Sequence, residues 1–414
     1  MFEQSTVQRQ RYGAGENLLI CGNAAGDLPQ LDALKGKVQC VYLDPPFRTG
    51  EKFERRRPFG TQGWKNGTPA PGYKAFNDKI TEKSWNRMLK KLVTVSADLL
   101  QDTGVFCLHL DWRMNAQARI LCDKVFGKSM FLNEIIWAYE SGGRSKKTFS
   151  RKHDVILVYA KSRKYKFDLT RVPLDRGTVR HNHMRRNVDE NGKMYSSIMS
   201  HGKEYRYYDD EPVYPGDVWT DINHLQQKDP ERTGYATQKP VKLLERLLLP
   251  VTEPGDLVVD LCCGSGTTAS AAEMIGCRYA AVDINPEAIA VSLSRLKNAN
   301  VTVECSTSSD PAGLTGRYDE KTGRLILEDL LTENPAFPKK ISPGDRLESW
   351  ELGRIEDGTF IAEQCFGRSN RYPELTMDIR LADPEGKAVM TTDAAGIRRV
   401  YLLRKEIVPL ENIG

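Results

Sequence analysis

No stretch of the 414-residue chain approaches the roughly 18 uncharged apolar residues of a membrane-spanning helix. The opening MFEQSTVQRQRYG lacks an apolar core, so no secretory signal is expected. The nine cysteines are odd in number and scattered, with no Cys-x-x-Cys spacing. That argues against a disulfide framework and a zinc ribbon and for a reducing cytosol. No internal repeat appears, and no cluster of His, Cys and Asp suggests a metal.

What is present is the composition of a globular protein, 40% apolar and 28% charged, with length enough for two or three domains. The net charge of +5 hides an asymmetry. Residues 141–206 carry 17 Lys and Arg against 6 Asp and Glu, and residues 48–91 carry 12 against 4. From Val301 onward the balance is 15 against 20. A polyanion held by the front of the chain through phosphate contacts would account for this, as would a solvated basic surface.

Short apolar runs at Leu18–Cys21, Val38–Leu43, Val105–Leu110, Glu134–Tyr139, Asp154–Ala160, Asp256–Leu261 and Arg278–Val282 read as buried strands. Helices are expected after Thr81, over Ala116–Phe126 closed by Gly127, after Pro240, over Thr267–Ile275 and over Pro286–Asn298. The alternation predicts an α/β fold with a Rossmann-like, largely parallel sheet covered on both faces. Arg48–Asn77 reads as a long loop, 162–215 as an irregular insertion and 306–316 as a linker. A small β-rich domain is expected to follow.

Two segments carry chemistry. VVDLCCGSGTTASAA is a strand, a glycine turn and a helix, in which Gly264 and Gly266 let backbone approach a ligand closely. Asp283 ends the next strand, where a carboxylate can accept from both ribose hydroxyls. The pattern also fits a nicotinamide site, but Asp260 just before the loop would repel phosphate and suits a nucleoside carrying an amino acid. In the second segment, Val38–Leu43 runs into Asp44-Pro45-Pro46-Phe47. The Asp44 carboxylate and the Pro45 carbonyl can both accept from one exocyclic amine, and Phe47 offers a face for an extruded base. His109 and His153 lie in apolar strands and read as core or hydrogen-bonded histidines.

With these motifs in this order, the chain resembles the S-adenosylmethionine-dependent DNA amino-methyltransferases of the circularly permuted β group. Adenine-directed, type III-like modification subunits are nearest in style. The likeness runs from Leu18 to Asn298. It takes in CGN at 21–23, FCLHLD at 106–111, NEIIWAYESGG at 133–143, HDVILVYAKS at 153–162, DVWTDI at 217–222 and TGYATQKP at 233–240. It implies a methyltransferase domain over 1–303 with a target-recognition insertion at 141–217, and a β-rich domain of unassigned role over 317–414.

The resemblance further implies methyl transfer from S-adenosyl-L-methionine to the N6 amine of a flipped adenine. Asp44, Pro45, Pro46 and Phe47 would form the catalytic turn. Asp260, Cys262, Gly264, Gly266, Thr267 and Asp283 would line the cofactor, with Thr237 and Lys239 near its methionine end and Asn23 beside its adenine. Arg48, Lys52, Arg144, Lys146, Lys147, Arg151, Arg185 and Arg186 are the candidate DNA contacts. Double-stranded DNA is the expected partner, with room for a homodimer and a paired restriction endonuclease, in the cytoplasm of a bacterial, archaeal or phage-infected cell. Cytosine-C5 chemistry lacks its Pro-Cys nucleophile here. The alternatives carried are cytosine-N4 methylation, an RNA substrate, and a DNA-binding regulator without catalysis.

Overall fold

The computed structural model describes residues 2–26, 28–50, 52–55, 60–66, 73–140, 145–174, 184–226, 229–235, 237–296, 300–310, 312–332, 341–368, 373–394 and 396–403, with backbone alone at 52–55, 64 and 73–77. Val38–Leu43 and Leu257–Asp260 are buried at every position, as strands covered on both faces must be. They lie at the centre of a parallel array in the order Val301–Glu304, Asn17–Cys21, Arg278–Asp283, Leu257–Asp260, Val38–Leu43 and Leu100–Leu110. His153–Ala160 then runs antiparallel, and Phe131–Ala138 turns back to the common direction.

Alternate residues of these strands divide between two cores. Glu82–Leu99 and Asn115–Phe126 cover the face carrying Ile20, Val41 and Phe106. Val241–Leu248, Thr267–Met274 and Pro286–Arg295 cover the face carrying Leu19, Cys40 and Tyr42. The expected caps are present: the Thr81 hydroxyl accepts from Ser84 N–H, and Gly127 closes its helix at φ 91°. Among the described residues no helix is long and apolar enough to cross a membrane.

Three regions differ from expectation. Arg48–Asn77 is not a plain loop: Lys52–Arg55 pairs antiparallel with Tyr73–Asn77, and Gly60–Asn66 is helical. That helix is held from far along the chain. Thr61 N–H donates to Asp345 Oδ1 at 2.8 Å, and Arg368 Nη1 donates to the Thr61 hydroxyl at 2.8 Å. The 162–215 insertion contains a three-stranded antiparallel sheet, Arg185–Val188, Met194–Ser200 and Lys203–Tyr208. Its second turn is His201-Gly202, both residues at positive φ, as a two-residue hairpin turn requires. Finally, 306–316 is not wholly linker, because Gly313–Asp319 is a strand.

The β-rich tail joins the central sheet through the chain's own start. Arg9–Tyr12 pairs with Val301–Glu304 on one side and with Thr359–Gly367 on the other, and Phe2–Ser5 pairs with Arg398–Leu403. Buried Arg398 fastens the join, donating to the Gln10 side chain and to the Tyr12 hydroxyl. Phe2–Ser5 and Arg9–Tyr12, grouped by sequence with the front unit, therefore pair with strands of the tail.

Candidate active site

The parallel register sets Asp260 beside Tyr42, so Asp44 emerges from the carboxyl edge next to the strand that feeds the glycine loop. Ligands of open α/β sheets bind at this edge. Trp85, buried in the Glu82–Leu99 helix, donates its indole N–H to the Pro46 carbonyl at 2.6 Å and fixes the turn. Among the described residues no backbone donor reaches the Pro45 carbonyl. Past Phe47 the chain is pinned by Asp78, which accepts from Arg48 N–H at 3.0 Å and from Thr49 N–H at 2.7 Å. Lys239 reaches the turn from 195 positions away and places Nζ 2.5 Å from Asp44 Oδ2. Sequence put Lys239 at the cofactor's methionine end; the structure pairs it with Asp44.

A cavity of about 540 Å³ opens beside the turn. Its wall includes Asn23, Asp44, Pro45, Pro46, Phe47, Thr237, Lys239, Asp260, Cys262, Gly264, Thr267 and Asp283, so the predicted turn and glycine loop meet in one space. Gly264 and Gly266 both have positive φ, 50° and 73°. A Cβ on Gly266 would stand 2.6 Å from the Ser292 hydroxyl, and one on Gly264 3.2 Å from the Tyr235 ring. Asp283 accepts from Gly264 N–H and Asn285 N–H, both at 2.9 Å, which shapes the loop around the carboxylate.

Asp260 is 3% exposed. Burial pushes its carboxyl up to about 7, against the lowering effect of the Thr268 hydroxyl and Cys262 N–H, while Asp44 and Asp283 add to the rise. Such a group favours a cationic ligand. Asn23 lines the cavity and uses its side-chain oxygen locally, accepting from Ala25 N–H at 3.0 Å. The Thr267 hydroxyl is engaged by the Lys239 carbonyl and by Arg295, which makes it part of the loop's scaffold. Tyr235, Asn285 and the Arg295–Glu231 pair escaped the sequence reading, because only the fold brings them behind the glycine loop.

Beneath the turn lies a buried polar chain. The Tyr42 hydroxyl is 2.7 Å from His109 Nδ1, His109 Nε2 is 3.2 Å from Asp154 Oδ2, and the Tyr139 hydroxyl donates to Asp154 Oδ1 at 3.2 Å. Burial raises Asp154, but the hydrogen bond and charge of His109 outweigh it and hold the carboxyl below the usual range. Nδ1 accepts from the Tyr42 hydroxyl when the ring is neutral with its proton on Nε2, and donates to it when the ring is charged. The His109 ring lies 6.0 Å from Phe47 and 5.7 Å from Trp137, which stacks on His224 at 4.5 Å. Burial lowers His224 to about 4, so it is neutral at ordinary pH. His109 is thus the hydrogen-bonded core histidine expected, and its ring lies against that of Phe47.

The candidate DNA contacts are spread over several segments. Lys146 and Lys147 are exposed on the segment after Phe131–Ala138, and the Arg151 guanidinium lies 3.7 Å over the Trp112 ring. Arg185 and Arg186 are exposed on the three-stranded sheet, Arg186 paired with Asp209. Arg48 instead folds back, donating to the Ile80 carbonyl at 3.3 Å beside Glu82. Arg144 and the side chain of Lys52 lie outside the described residues.

An open α/β sheet with a cavity at its carboxyl edge, walled by a glycine loop and an Asp-Pro-Pro-Phe turn, sets the class of protein. Residues 38–294 match the N6_N4_Mtase family, described as DNA methylase, and the chain belongs to that family. It is similar to the type II methyltransferase M.EcaI of Enterobacter cloacae, 24% identical over 60% of this chain and 62% of that one. The DNA adenine methyltransferase YhdJ of Escherichia coli K12 is 26% identical over 78% of this chain and 95% of its own. The probable type III restriction-modification enzyme HindVI Mod subunit of Haemophilus influenzae is 30% identical over 40% of this chain and 20% of its own. The chain therefore spans less than two thirds of M.EcaI and a fifth of the Mod subunit.

Proposed function

We propose that this chain transfers a methyl group from S-adenosylmethionine to the N6 amine of an adenine flipped out of double-stranded DNA. The observation that carries this is the placement of Asp44 and the uncommitted Pro45 carbonyl on the strand beside Asp260 and the glycine loop. The cavity volume is within the range of small-molecule sites. The residues present fit the cofactor: Asp260 would take its ammonium, Asp283 its ribose hydroxyls and the Asn23 amide its adenine. When bound, it supplies an electrophilic methyl carbon.

The chain's own part is positioning. Asp44 and Pro45 accept from the two amine hydrogens, which turns the nitrogen lone pair towards the cofactor side of the cleft. The Phe47 ring stacks on the flipped base, backed by His109. The proton that leaves the methylated amine passes to Asp44 and then to solvent. Asp rather than Ser at position 44 favours adenine over cytosine, and the similarity to the DNA adenine methyltransferase YhdJ supports the same reading. Homodimerisation, a paired endonuclease and a cytoplasmic location belong to this proposal, and sizing and co-purification test the first two.

Incubation with labelled cofactor and mixed DNA, followed by digestion to nucleosides and mass spectrometry, tests the reaction. N6-methyladenine is expected. N4-methylcytosine would overturn the base assignment, and no methylated nucleoside would overturn the function.

A further inference from the structure

Phe149 is 99% exposed, well beyond the next most exposed large apolar side chains, Ile284 at 70% and Met274 at 68%. Single apolar residues on a surface are common. This one differs in its setting. Lys146, Lys147 and Arg151 flank it in sequence, and Lys146 and Lys147 are exposed with it. Its backbone is held rather than loose: the Ser145 hydroxyl accepts from Lys147 N–H at 3.3 Å and Thr148 N–H at 3.1 Å, and Ser145 N–H donates to the Ser150 hydroxyl at 3.2 Å. The base of the segment is tied as well, by Tyr139 N–H to the Lys152 carbonyl at 3.0 Å and by Arg151 over Trp112.

The position follows from the sheet. Phe131–Ala138 runs in the direction of Val38–Leu43, two reversals away, so the segment leaves the edge that carries Asp44. Three inter-strand spacings separate the two strands, about 14 Å, or roughly four base-pair steps of a duplex laid along that edge. Trp112, on which Arg151 rests, directly follows the strand next to that of Asp44.

A base that leaves the stack opens a gap beside its neighbours, and an apolar side chain can fill it. The geometry points to Phe149 as that wedge: its ring enters the duplex stack as the target adenine swings into the Asp44 cleft, while Lys146 and Lys147 hold the flanking phosphates. This rests on the DNA adenine reading above. Phe149 touches neither the amine nor the cofactor, so it is a positioning residue.

The test uses the full chain on a duplex bearing its own mapped methylation site. A second duplex carries an abasic position opposite the target, where unpairing is already done. Phe149→Ala should lower methylation of the matched duplex roughly ten- to hundredfold. It should approach wild-type rate on the abasic duplex and bind cofactor unchanged, and Phe149→Trp should restore the matched rate. The fluorescence rise of 2-aminopurine at the target position should shrink in Phe149→Ala alone. Being fully exposed, the side chain can be removed without loss of folding. Equal rates for wild type and Phe149→Ala on the matched duplex, or an equal loss on both duplexes, would overturn the wedge. A wild-type chain inactive on every DNA would instead overturn the function, and the wedge with it.

Discussion

The Lys239 ammonium lies 2.5 Å from Asp44 Oδ2, with only 8% of the lysine side chain exposed. The same nitrogen is 5.1 Å from the centre of the Phe47 ring. One cation therefore lies against both the carboxylate proposed to accept the amine and the ring proposed to stack on the base. Its bond to Oδ2 fixes the rotation of the carboxylate, and in the proposed reaction leaves Oδ1 for the amine. Lys239→Met should lower the single-turnover rate roughly 10- to 100-fold, the size of one charged hydrogen bond of about 1.5–3 kcal/mol. DNA affinity should change little. A rate within twofold of wild type would contradict the role.

Cofactor binding through Asp260 should depend on pH. Burial and its acidic neighbours raise its carboxyl to about 7, so below that pH it is mostly neutral. A cationic ligand prefers it ionised, so affinity should tighten as pH rises through about 7, by up to roughly tenfold per unit below it. Because the folded value is raised, the stability from this group is present below about 4 and lost as pH rises through about 7. Cofactor should restore it. Calorimetric titration between pH 5.5 and 8.5 checks this, and Asp260→Asn should bind weakly with a flat profile.

The Tyr42–His109–Asp154 chain stabilises the floor of the cleft. His109→Leu strands a buried carboxylate and a buried hydroxyl, and should cost about 3–5 kcal/mol in denaturant unfolding. Asp154 is held below its ordinary value, so its contribution is present above about 4 and lost as pH falls through the lowered folded value. Asp154→Asn should remove that acid limb from the stability profile. An unchanged acid limb would show that Asp154 does not set it.

Lys146 and Lys147 are exposed, on the segment that follows Phe131–Ala138. If each neutralises one phosphate, replacing both with Ala should reduce the slope of log binding constant against log salt by about 2. An unaltered slope would place DNA elsewhere.

The chemistry was legible in the sequence where it is local. The glycine loop and the Asp-Pro-Pro-Phe turn sit where the strand pattern puts them, because short apolar runs bounded by Gly, Asp and Pro have few alternative readings. Contacts that depend on register were hidden. Nothing local ties Trp85 to Pro46, His109 to Asp154 or Thr61 to Asp345; each needs strands or helices far apart in sequence to be stacked first. The insertion's sheet was masked by its charge, although Asn191-Gly192 and His201-Gly202 are hairpin-turn signals. The opening strand FEQS carries too little apolar character to announce a partner at Arg398–Leu403.

The central claim is that Asp44 acts on the target amine and not on the cofactor. The most direct measurement pairs single-turnover methyl transfer with cofactor affinity on the same preparation of Asp44→Ala. The account predicts cofactor binding within a few-fold of wild type and no detectable methylated adenine. Methyl transfer at a rate near wild type would contradict it.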